Sequence, residues 1–103
     1  MGYDVLIKNG ALIDGTGTAA RHGSVAITDG KIIEVGEIDG PANQVIDAEG
    51  TVVAPGFIDP HTHYDAQICW DGAVTPSSWH GVTSVVVGNC GVGIAPCKLE
   101  SRE

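Results

Sequence analysis

Asp29-Gly30 separates two apolar, β-branched runs, residues 24–28 and 31–35. Both central positions of a tight two-residue hairpin turn need φ > 0, which Asp and Gly tolerate, so this stretch is committed to a β-hairpin. The same punctuation recurs through the first 55 residues. Residues 3–8 read as a strand, Asn9-Gly10 as a turn dipeptide and residues 11–13 as a second short strand. The stretch Asp14-Gly15-Thr16-Gly17-Thr18 follows. It is too short for a phosphate loop and no helix follows it, so it reads as a turn. His22 falls in a polar turn facing solvent. Val45-Ile46 and residues 51–54 add strands around Glu49-Gly50. Short strands cut by turns, with no helical period, predict a small antiparallel β-sandwich over residues 1–55.

At Pro55-Gly56 the pattern changes. Residues 57–63 predict a strand ending in polar residues, then a loop over residues 64–74. Residues 75–81 predict a short helix, with Thr75 as cap, Pro76 in the first turn and Gly81 at the left-handed exit. Residues 82–87 are almost wholly apolar and β-branched, the signature of a strand buried on both faces in a parallel sheet. The boundary therefore divides an all-β part, 1–55, from the opening of an α/β part, 56–103.

Charge narrows the partners. Thirteen acidic residues against five basic ones give a net charge of −8. Such a chain repels nucleic-acid phosphates and anionic lipid heads, so neither is expected as a partner. A hydrophobic share of 43% with 17% charged residues excludes a disordered chain. There is no 18-residue apolar window for a membrane helix, and the start runs straight into strand sequence without a secretory leader pattern. Three irregularly spaced cysteines argue against a disulfide framework and for a reducing cytoplasm.

The chemistry concentrates at His61-Thr62-His63. Residues i and i+2 of a strand share a face, about 6.6 Å apart at roughly 3.3 Å per residue. Two imidazoles so placed can converge on one metal ion. Two histidines hydrogen-bonded on a half-exposed strand are the alternative, but closure of an apolar strand and a following candidate ligand favour metal. That candidate is Cys90, 27 positions after His63, about one βαβ period. If the strands at 57–63 and 82–88 are parallel neighbours, all three side chains meet at their carboxyl ends, where α/β sheets bind ligands. Spacing alone leaves open whether Cys90 is a ligand or a small apolar residue in a tight glycine-rich turn.

Pro55-Gly56-Phe57-Ile58-Asp59-Pro60-His61-Thr62-His63-Tyr64-Asp65 resembles the first barrel strand of the metal-dependent amidohydrolase superfamily. His80-Gly81-Val82-Thr83 and Val85-Val86-Val87-Gly88-Asn89-Cys90-Gly91 resemble, more narrowly, the N-acyl-D-amino-acid deacylase (D-aminoacylase) branch. Asp4-Val5-Leu6-Ile7-Lys8-Asn9-Gly10 and Ile13-Asp14-Gly15-Thr16-Gly17 match its N-terminal β-domain. The resemblance implies an α/β fold, with a small N-terminal β-sandwich leading into the first two strands of a TIM-like (β/α)8 barrel that is truncated here. It implies one or two divalent metal ions, zinc above all, with His61, His63 and Cys90 as ligands. It implies hydrolysis of N-acyl-D-amino acids, small-molecule substrates, to a carboxylate and a D-amino acid. The family's remaining histidine ligands, its general acid/base aspartate and the segment closing the β-domain lie outside these residues, so no catalytic residue is assigned within them. The isolated chain is expected to be inactive and to need the remainder of the barrel, or an oligomer partner, for stability.

Other residues carry lesser expectations. Asp65 either orients a ligand imidazole or caps a turn. Tyr64 and Gln67 are candidates for the substrate mouth. Asp59 is expected to be a satisfied structural carboxylate at a barrel floor, and His80 a helix-end residue. Cys69 and Cys97 are expected to pack as small apolar residues, and Trp70 and Trp79 in a core or under a helix. Two competing functions remain: another cyclic or linear amide hydrolase or a deaminase of the superfamily, and a non-catalytic β-rich remnant that folds by oligomerisation. The Gly-Asn-Cys-Gly stretch argues against the first, whose members usually bridge metals with a lysine on a later strand.

Overall fold

A computed structural model of the chain describes residues 2–91 and 98–101. It divides into two compact units, Met1–Pro55 and Gly56–Glu103.

The first unit is a five-stranded sheet built on β1 (Tyr3–Leu12). β2 (Arg21–Thr28) and β3 (Lys31–Gly36) form the expected hairpin, with Asp29 at φ 52° and Gly30 at φ 70°. β4 (Ala42–Asp47) and β5 (Val52–Val53) both run parallel to β1, where uniformly antiparallel pairing was expected. The long return between β1 and β4 passes through the hairpin, which leaves room for a parallel crossover. The described residues form one sheet here, with no second sheet stacked on it.

Asn9-Gly10 is not a turn. β1 runs through it as a β-bulge, with Asn9 at φ 64° as the extra residue between the Ile7↔Val25 and Gly10↔Gly23 pairs. The bulge changes which side chains share a face. Ile7 and Leu12, five positions apart, both line an apolar groove of about 330 Å³ with Val25, Ile27 and Val53. Leu6, Leu12, Val25, Ala26 and Ala48 are the buried apolar residues. His22 lies on β2, not in a turn, and is exposed, its Nδ1 3.9 Å from Glu37 Oε1. Asp14 does organise a turn. Its carboxylate accepts from the Thr16 N–H and hydroxyl and from Arg21, and these bonds hold it well below the usual carboxylate range.

The second unit pairs β6 (Phe57–Asp59) with β7 (Val82–Val85) in parallel, the arrangement expected from their spacing. β6 ends at Asp59 rather than running on to His63, because the next N–H due to the ladder, that of His61, turns to the Asp59 carboxylate instead. Between them lie the 3-10 segments Gln67–Cys69 and Ser77–His80. Gly81 makes the expected left-handed exit at φ 79°, but Thr75 does not cap the second segment and instead bonds to Asp71. β7 is not buried on both faces: its four residues are half-buried or exposed, and Val86 and Val87 beyond it are exposed. Trp70 and Trp79 are 74% and 76% exposed and Cys69 is exposed, contrary to their expected packing. Among the described residues of this unit the buried ones, Thr62 and Asp65, are both polar. Cys97 lies outside the described residues.

A Cβ at Gly10 would stand 2.5 Å from Val53 Cγ2 and 3.3 Å from Ala48 Cβ. Gly10→Ala is therefore expected to lower the unfolding free energy by about 1–3 kcal/mol through overpacking, read from urea denaturation; an unchanged midpoint would mean that β5 is not seated against the bulge.

Candidate metal centre

Three features of the chain bring the sequence-predicted ligands together. Asp59 Oδ1 accepts the His61 N–H at 3.1 Å, so the carboxylate caps the turn out of β6. Asp59 is thus structural as expected, though as a turn acceptor at the strand's end. Beyond that turn Thr62 is buried, while His61 and His63 on either side of it are exposed. The rings of the two histidines are 5.8 Å apart at 27°. On the neighbouring strand, Val86 N–H donates to Asp59 O at 2.9 Å, extending the pairing past β7 toward the Gly88-Asn89-Cys90-Gly91 turn.

One donor atom each from His61, His63 and Cys90 lie within 4.8 Å of one another. Ligands held tetrahedrally at about 2.0–2.3 Å from zinc are about 3.3–3.6 Å apart. Drawing the three atoms in by about 1 Å, within reach of side-chain rotation, would satisfy that geometry. Two imidazole nitrogens and a thiol form a borderline-soft donor set suited to zinc. All three are exposed, so an ion could reach them directly. By chemistry and spacing, the residues fit a divalent soft-to-borderline ion.

The other candidates fall differently. Asp65 is buried at 9% exposure, and neither expected bond, from a histidine ring or from a turn N–H, is found among the described residues. Tyr64 hydroxyl pairs with Ser77 Oγ at 2.7 Å. Gln67 Nε2 donates to Asp71 Oδ2 at 2.9 Å and to Thr75 O at 2.6 Å. Both residues therefore brace the loop rather than stand open. His80 closes its 3-10 segment, exposed and outside the cluster.

Sequence reading passed over Asp71, Thr62 and Asn89. Asp71 is the hub of the long loop. Its carboxylate accepts from the Thr75 hydroxyl and N–H, from Gln67 and from the Ala73 N–H. The Thr75 hydroxyl bond first, then the Gln67 amide, pull its pKa from the ordinary 3.8 down to about 2. Asp71-x-Ala73-x-Thr75 carries the usual signal of an acceptor followed by turn donors. Thr62 and Asn89 bridge the loops that carry His61, His63 and Cys90, Thr62 Oγ1 to Val86 O at 2.8 Å and Asn89 Nδ2 to Pro60 O at 2.9 Å. Only the position of Thr62 between two same-face histidines pointed to its inward side chain.

With the fold and this cluster established, comparison with known proteins places the chain. The sequence pattern of the amidohydrolase family matches residues 44–98. The chain belongs to that family. It is 42% identical over 95 residues to a D-aminoacylase of Alcaligenes xylosoxydans xylosoxydans, covering 91% of this chain and 20% of the relative. It is 44% identical over 94 residues to an N-acyl-D-aspartate deacylase of the same organism, covering 90% and 19%. Among solved structures, an N-acyl-D-glutamate deacylase from Bordetella bronchiseptica, complexed with zinc and a phosphonate mimic of the tetrahedral intermediate, superposes with a TM-score of 0.88. It is 41% identical and the match covers 98% of this chain and 22% of that one. The chain thus spans about a fifth of the length of these relatives.

Asp71 supplies a pH test. Its folded pKa lies below its unfolded one, so its contribution to stability is complete above about pH 4 and is lost as pH falls through about 2. The stability gap between wild type and Asp71→Asn, followed by urea midpoints, should be full near pH 5 and close toward pH 2. A gap that stays constant across that range would remove Asp71 from its role in the loop.

Proposed function

We propose that the chain is the N-terminal part of a zinc-dependent amidohydrolase that cleaves the amide bond of N-acyl-D-amino acids to a carboxylate and a D-amino acid. The observation that carries this reading is the convergence of His61, His63 and Cys90 within 4.8 Å at the ends of two parallel strands. Likeness to deacylases at 42% and 44% identity supplies the substrate class. In this reading residues 1–55 are part of an N-terminal β-sandwich, and 56–103 open a (β/α)8 barrel with β6 and β7 as its first two strands.

His61, His63 and Cys90 are the proposed ligands, to one or two divalent ions. An ion so held supplies Lewis-acid polarisation of the amide carbonyl and a water acidic enough to act near neutral pH. The chain's part is to hold that ion and fix its position: Asp59 sets the turn that aims His61 and His63, and the glycine-rich turn after β7 presents Cys90. The residues that complete a tetrahedral set, and the aspartate that handles the proton, belong to the rest of the proposed enzyme. Phe57, Ile58, Trp70 and Trp79, all exposed, support a reading in which the remainder of the barrel or an oligomer partner covers this unit. Among the described residues no helix is long and apolar enough to cross a membrane. The free thiols of Cys69 and Cys90 support a cytoplasmic setting.

Assay of the whole enzyme against a panel of N-acyl-D- and N-acyl-L-amino acids tests the substrate class, with preferential release of D-amino acids as the expected result. Hydrolysis of cyclic amides or of an amino-purine in their place would move the protein elsewhere in the superfamily. Cys90→Ala is expected to lower zinc content and activity together, as measured by elemental analysis and turnover. Retention of both would take Cys90 out of the site.

A further inference from the structure

The regular ladder between β6 and β7 ends at Asp59↔Val85, before any proposed ligand is reached. The next N–H due to it, that of His61, turns to Asp59 Oδ1 instead. Past that point the two loops that carry His61, His63 and Cys90 would be free to drift apart. Two side chains take over. Thr62, 6% exposed, donates from Oγ1 to Val86 O at 2.8 Å, and its N–H reaches the same carbonyl at 3.3 Å. Asn89 donates in the opposite direction, from Nδ2 to Pro60 O at 2.9 Å. One bond therefore starts between the two histidines. The other ties the residue just before Cys90 to the residue just before His61.

We propose that Thr62 and Asn89 are positioning residues, a two-point latch that sets the separation of the Cys90 sulfur from the His61 and His63 rings and so tunes metal affinity. This rests on the reading of those three residues as ligands. The latch works because its bonds are short, cross between the loops and run in opposed directions. Opening of the loops must break both, whereas either alone would leave a hinge. Neither side chain belongs to the cluster of donor atoms, so each acts only through the backbone that carries a ligand.

The chemistry of each bond fixes the variants. Asn89→Asp keeps the size of the side chain but replaces the donor with an oxygen that repels the Pro60 carbonyl. Thr62→Val keeps the shape and removes the hydroxyl, while Thr62→Ser keeps the hydroxyl. The whole enzyme is loaded with cobalt(II), whose absorption reports a bound thiolate, and affinity is taken from competition with a chelator. Asn89→Asp and Thr62→Val are expected to weaken cobalt binding about tenfold, in the range found for groups that support metal ligands, and to shift the sulfur-to-cobalt band. Thr62→Ser is expected to preserve both. Wild-type affinity and spectrum in Asn89→Asp and Thr62→Val would overturn the latch, and so would a lower melting temperature of the metal-free protein with cobalt binding unchanged. A wild-type protein without the sulfur-to-cobalt band would overturn the ligand assignment itself, which separates the two failures.

Discussion

Parallel pairing of β6 with β7 is the constraint on which the site depends. The histidine pair and Cys90 are 27 positions apart, and no local geometry could bring them together. The ladder does so by aligning Phe57 with Val82 and Asp59 with Val85, so that both strands release their loops at the same edge. Register matters more than strand length here. A slip of one residue would turn His61 and His63 to the opposite face and put Thr62 in their place beside Cys90. Four bonds beyond the ladder oppose such a slip: Val86 N–H to Asp59 O, Thr62 N–H and Oγ1 to Val86 O, and Asn89 Nδ2 to Pro60 O.

Hydrogen bonds, more than apolar burial, shape this part of the chain. Every buried apolar residue among those described belongs to the first unit. In the second, the loop between the strands is gathered on the Asp71 carboxylate and braced by Tyr64 with Ser77. A net hydrogen bond contributes only about 1 kcal/mol, against roughly 1.5–3 kcal/mol for a fully buried large apolar side chain. A unit organised this way gains conformational precision at the loop before it gains stability. Its exposed Phe57, Ile58, Trp70 and Trp79 are the apolar area through which stability would come from outside the unit.

Legibility in the sequence followed how local each determinant is. The Asp29-Gly30 hairpin and the Gly81 exit were readable because a single backbone conformation decides them, and both have φ > 0. Asn9-Gly10 carries the same signal with a different outcome. The left-handed Asn9 is absorbed as a bulge inside β1, because the flanking residues already pair with β2 on both sides. A period-2 reading of residues 3–12 cannot anticipate that Ile7 and Leu12 share a face. Parallel attachment of β4 and β5 to β1 is decided by long-range packing, which no dipeptide encodes. The convergence of His61, His63 and Cys90 was readable only on condition that the two strands pair in parallel, as they do, and spacing alone left Cys90 open. Asn89 was not, because its amide acts on a carbonyl 29 positions away.

The misjudged tryptophans point to the same boundary between local and distant causes. Trp70 and Trp79 have the composition of core residues, yet each lies on a 3-10 segment or its flank whose backbone is held by polar contacts to Asp71, Gln67 and Ser77. Their burial is therefore not a property of this segment's own folding. The proposed metal ligation has the same structure. His61, His63 and Cys90 provide three donors where zinc takes four, so in the proposed enzyme neither the apolar surface nor the coordination sphere of this unit is complete within its own residues. What the unit does determine by itself is direction: two parallel strands, one carboxylate-capped turn and two side-chain bonds bring three donor atoms near one point before any further residue contributes.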